Sequence, residues 1–135
     1  MNPLLPEMPE SVAAAFDSIP VGAAERLLAV RAIAYGVAEG IPETGGLKEY
    51  TAWGEPSLRP VNNKVGSAIR LGMQPDGTPA MFVHCGTPLI SEFRFVASHL
   101  SYEGKRAVLL AEDTHFPEAE LAQLIELVFT HYLRK

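Results

Sequence analysis

Residues 65–85 read VGSAIRLGMQPDGTPAMFVHC. Val65, Ser67, Ile69 and Leu71 fall on one side of an alternating run, with Ala68 and Arg70 on the other, which is the period of a half-buried strand. Gln74-Pro75-Asp76-Gly77 has the composition of a tight turn, so residues 79–85 are expected to return antiparallel to the first strand. If Ile69, Leu71, Met81, Val83 and Cys85 face a core, then Arg70, Phe82 and His84 emerge together on the opposite face.

The flanking sequence supplies what covers the core side. Residues 1–8 read as a Pro-rich arm, and a single α+β domain is expected over residues 9–135. Pro9-Glu10-Ser11 opens a short helix carrying Val12, Phe16 and Ile19, which Pro20 stops. Residues 22–39 read as a second helix with Leu27, Val30, Ala34 and Val37 as its apolar stripe and Glu25, Arg26 and Arg31 off it. Gly40 is its expected left-handed terminator, and residues 40–46 read as loop. Residues 47–53 alternate weakly as a strand, and Gly54-Glu55-Pro56-Ser57 is expected to turn the chain out of it.

Beyond the central pair, residues 87–100 fit helical spacing through Leu89, Phe93, Val96 and Leu100, with Thr87 and Pro88 at the start. Tyr102-Glu103-Gly104 leads into a short apolar strand over residues 105–111. Pro117 opens a closing helix whose buried face holds Leu121, Leu124, Ile125, Val128, Phe129 and Leu133. Helices, then strands, then a helix imply an α+β domain, an antiparallel sheet with N-terminal and C-terminal helices packed on one face. The other sheet face is expected to stay uncovered.

Composition narrows the function classes. The 135 residues, 47% hydrophobic and 20% charged, suit one soluble domain with a core of its own. Eleven Lys+Arg against 16 Asp+Glu give a net charge of −5, which disfavours a nucleic-acid binder because phosphate contacts need a basic stripe. The single cysteine, Cys85, excludes an internal disulfide and suits a reducing, cytoplasmic setting. The first ten residues lack a positive n-region and no apolar run reaches the ~20 residues of a membrane span, so neither export nor a membrane partner is expected. Neither GxGxxG nor GxxxxGK[ST] nor GxSxG occurs, which removes the usual signals of dinucleotide, nucleotide and serine-hydrolase chemistry.

Three groups of residues remain as candidates. Arg70, Phe82 and His84 on one face offer a guanidinium fork, a ring and an imidazole, a set able to hold a carboxylate or phosphate. The plain alternative is that Arg70 pairs with a surface acid such as Glu49 or Glu92. Tyr50 and Trp53 with Glu55 and Ser57 form a second group, either the wall of a pocket or, for the indole, a plug in the core. Cys85 cannot form a dyad with its neighbour His84, since adjacent strand residues face opposite sides, and it reads as a buried structural thiol. Glu112, Asp113, His115, Glu118 and Glu120 are read as acids favouring the N-terminus of the last helix rather than as metal ligands. Acid–base catalysis would rest on His84 with Glu49 or Glu55.

Trp53-Gly54-Glu55-Pro56-Ser57, Gly66-Ser67-Ala68-Ile69-Arg70, Phe82-Val83-His84-Cys85, Phe93-Arg94 and Tyr102-Glu103-Gly104-Lys105-Arg106-Ala107-Val108, followed by an amphipathic helix, resemble the YdhG-like family of small bacterial domains of unknown function. The resemblance spans residues 23–135. It implies a compact α+β domain with an antiparallel sheet, and for some relatives a role as frataxin-like intracellular iron chaperones, with iron as the bound species.

The expected function is a non-catalytic binding domain whose open sheet face accepts a small anionic ligand or a protein segment. Its expected ligand-binding residues are Trp53, Glu55, Ser57, Arg70, Phe82, His84 and Arg94, with no catalytic or metal-ligating residue. An iron chaperone is the alternative, and a homodimer joined through the open face is a third arrangement.

Overall fold

Each of the four α-helices among the described residues is preceded by a proline, whose missing N–H removes a donor that a first helical turn would leave unpaired. Pro9 precedes α1 (Glu10–Asp17), Pro20 precedes α2 (Val21–Glu39), Pro88 precedes α3 (Leu89–Val96) and Pro117 precedes α4 (Glu118–Phe129). The structure, a computed structural model, describes residues 5–84 and 86–134. Cys85 and its reading as a buried thiol lie outside the described residues.

Among the described residues six strands form one open sheet in the order β1-β2-β3-β4-β6-β5, and all neighbouring pairs are antiparallel. They are β1 (Leu47–Ala52), β2 (Glu55–Pro60), β3 (Ile69–Met73), β4 (Pro79–Val83), β5 (Tyr102–Glu103) and β6 (Ala107–Leu109). The α+β class is therefore as expected. Buried residues of all four helices share one cluster with Leu58, Ile69, Leu71, Met81, Val83 and Val108. These sheet residues face one another in the pairings Leu58↔Ile69, Ile69↔Val83, Leu71↔Met81 and Met81↔Val108, so they occupy one face. Ala80, Phe82 and Ala107, of the opposite parity, form a separate small cluster that contains no helix residue. No described helix is long and apolar enough to cross a membrane.

Several local expectations change. Of residues 54–57, read as a turn, Glu55, Pro56 and Ser57 open strand β2, and the turn itself is only Trp53-Gly54, with φ of 57° and 76°. Positive φ at both central residues matches the right-handed twist of the strands they join. Residues 65–68 are not strand, because their backbone is bound to the end of α4 instead: Ser67 N–H donates to Val128 O at 2.9 Å and Tyr132 N–H to Val65 O at 3.0 Å. Gly40 keeps an ordinary φ of −82°; the left-handed residue is Gly45 at 71°, after a 3-10 turn at Pro42–Thr44. Tyr102 and Glu103 form strand β5 rather than a lead-in turn. Val96, expected on a buried stripe, is 72% exposed, and Leu133 lies half in solvent beyond the end of α4.

Arg31 is the main revision within the core. It was read as lying off the apolar stripe of α2, yet it stands at helical spacing between Leu27 and Ala34 and is buried with them. Its guanidinium donates from Nε to Glu49 Oε2 and from Nη2 to Glu49 Oε1, both at 2.7 Å, and from Nη2 to Pro6 O at 2.6 Å. Tyr35 Oη donates to Glu49 Oε1 at 2.6 Å. The hydrogen bond to Glu49 raises the Arg31 pKa, and burial is the first cause that pushes the Tyr35 phenol well above its ordinary range. Through Pro6 the network also fastens the described part of the Pro-rich arm to α2.

Candidate functional site

Strand register assembles the site. Tyr50 faces Ser57, Ser57 faces Arg70, Arg70 faces Phe82 and Phe82 faces Ala107, a row that crosses five strands on the face opposite the main core. The two groups read separately in the sequence are thus one site, and the unforeseen strand β2 is what joins them. A groove of about 450 Å³ runs along the row, lined by Tyr50, Trp53, Ser57, Arg70, Phe82, His84 and Arg106 among others.

Charge is concentrated around one ring. The Arg70 guanidinium carbon lies 4.3 Å from the centroid of Phe82, and that of Arg106 lies 5.4 Å from it. Arg70 comes from β3 on one side of Phe82, and Arg106 from the turn before β6 on the other. Phe82 is buried beneath them, which is a use of cation–π contact to hold two positive groups at a surface. Arg70 also pairs with Glu55, whose carboxylate reaches across β3 to within 3.4 Å of Met73 N. Gly72 makes room for it, since a Cβ there would come within 2.1 Å of Glu55 Oε2. Among the described residues Arg106 has no carboxylate within ion-pair distance.

The remaining expected residues divide. His84 follows β4 on the groove side, and its Nδ1 accepts from Gly86 N–H at 2.9 Å, an arrangement that leaves Nε2 to carry a proton. Ser57 is buried in the floor, its hydroxyl donating to Glu55 O at 3.3 Å. Trp53 is 91% exposed, which overturns its reading as a core plug and leaves the wall of the groove. Arg94 does not join the site: on α3 it donates to Gly104 O at 3.1 Å and lies over Tyr102.

Glu49 is the clearest correction among the polar candidates. It was nominated as counter-ion to Arg70 and as partner of His84, but it faces Leu58 across the sheet and is consumed by Arg31 and Tyr35 on the core side. Arg106 was not singled out as a site residue: it fell within the strand read over residues 105–111, but β6 begins only at Ala107, and alternation does not fix the direction of a residue in the turn before it.

Two of the acids at 112–120 have other occupations. Glu118 and Glu120 stand in the first turn of α4, where negative charge meets the positive end of the helix dipole. His99 Nε2 lies 2.7 Å from Glu120 Oε2, and this hydrogen bond holds the Glu120 carboxyl below its ordinary pKa. Among the described residues no three His, Cys, Asp or Glu side chains are grouped as a metal ion requires.

Set against protein-family models, curated proteins and solved structures, the chain matches none.

Proposed function

We infer that this chain is a non-catalytic binding domain whose groove on the second sheet face accepts a small anionic ligand. The observation that supports this reading is the convergence on Phe82 of two guanidiniums, one of them without a carboxylate partner among the described residues, beside His84 and the polar floor at Ser57. Guanidinium N–H groups offer paired donors of the geometry a carboxylate accepts. Trp53 adds weight from an independent direction: a bulky side chain at positive φ and almost fully in solvent has neither a backbone nor a packing reason to be tryptophan. Its position on the groove supplies one, a flat surface for the apolar part of a ligand. The α+β architecture is also what a YdhG-like domain would have.

Trp53 provides the test, because it is the only tryptophan in the chain and its fluorescence reports on the groove alone. Titration with aromatic carboxylates is expected to change its emission saturably. Arg70→Ala is expected to weaken binding by about tenfold or more, through loss of a charge-assisted contact and release of Glu55 as a repelling charge. The fold should tolerate that change: Arg70 and Glu55 are 27% and 26% exposed, and an ion pair so placed contributes at most about 1 kcal/mol. Emission that does not respond to any carboxylate or phosphate would refute the reading.

A further inference from the structure

We propose that Glu55 is a built-in competitor that sets the charge of the groove, so that the ligand is a monoanionic carboxylate on a flat apolar body rather than a phosphate dianion. This deepens the anion-binding reading and rests on it. Glu55 already occupies one nitrogen of Arg70, Nη1, and its carboxylate is seated over Gly72 at a position that only a residue without a side chain leaves open. Two guanidiniums and one carboxylate leave a single positive charge in excess, carried by Arg106. A monoanion between Arg106 and the free edge of Arg70 neutralises that excess. A dianion would overfill it and stand beside the half-buried Glu55, where like charges repel through a poorly screening medium. Trp53 and Tyr50 border the same groove, and about 450 Å³ is room for a small aromatic acid.

The test compares benzoate with phenyl phosphate, which share a ring and differ in the anionic head. Calorimetric titration uses the full chain at about pH 8, where the phosphate carries close to two charges. The unaltered protein is expected to prefer benzoate. Glu55→Gln removes the competing charge and is expected to tighten phenyl phosphate by about tenfold, reversing the preference. Gly72→Ala reaches the same end by another route, since its methyl group displaces the flexible Glu55 carboxylate and frees Arg70 without altering the composition of charge; it too should gain phosphate affinity. If benzoate binds and Arg106→Ala abolishes it, yet both Glu55→Gln and Gly72→Ala leave the benzoate-to-phosphate ratio unchanged, the role of Glu55 is overturned and the groove reading stands. If neither anion binds the protein or any of the variants, the groove reading falls and this inference falls with it.

Discussion

Arg31→Met is expected to destabilise the protein by about 3–5 kcal/mol, because it leaves the Glu49 carboxylate buried without its cation. The two side chains are 5% and 3% exposed, so water cannot take the place of the lost guanidinium. Against a total stability of about 5–15 kcal/mol the loss is large, and it should lower the melting temperature by roughly 10–20 °C. Tyr35→Phe removes one hydroxyl from the same carboxylate and should cost only about 1 kcal/mol. Chemical denaturation of the protein, Arg31→Met and Tyr35→Phe measures this; a loss under about 1 kcal/mol in Arg31→Met contradicts it.

The second large effect contrasts one substitution at two glycines. A Cβ at Gly66 would lie 2.0 Å from Phe129 O and 2.2 Å from Phe129 C, both backbone atoms at the end of α4. Relief would require parting the hydrogen bonds that Ser67 and Val65 make to that helix end, so Gly66→Ala is expected to cost about 3 kcal/mol. Gly36 stands inside α2 with nothing within 4 Å of its would-be Cβ. There Ala relieves the entropic cost of a helical glycine, and Gly36→Ala should stabilise by roughly 0.5–1 kcal/mol. Denaturation midpoints of the two variants should therefore move in opposite directions. A Gly66→Ala protein as stable as its parent would contradict the close docking of residues 65–67 on α4.

These contrasts show where the sequence was readable. Alternation through Ile69, Arg70 and Leu71 and through Met81, Phe82 and Val83 reports a local preference, and the paired strands β3 and β4 obey it. Strand β2 was hidden because Pro56 read as part of a turn, yet Pro56 and Pro60 both lie buried in a strand that reaches β3 through only Ser57 and Leu58. Arg31 was hidden because a charged helix residue is read as lying off the apolar stripe, and only a partner distant in sequence, Glu49, makes burial tolerable. The groove follows the same division. Arg70, Phe82 and His84 come from alternation within one hairpin, whereas Arg106 and the Glu55 carboxylate depend on turns and on space above Gly72 that no period encodes.

The central claim is that the sheet face bearing Phe82 is where this domain meets its ligand. A larger and more apolar hollow of about 800 Å³, between α2, the arm and the 3-10 turn, lies on another part of the surface and serves as the rival location. Amide chemical-shift mapping during benzoate titration distinguishes them in one experiment. Saturable shifts are predicted at Tyr50, Trp53, Ser57, Arg70, Phe82 and Arg106. Shifts confined instead to Tyr35, Gly36, Ile41 and Leu47, or an unchanged spectrum, would contradict the claim.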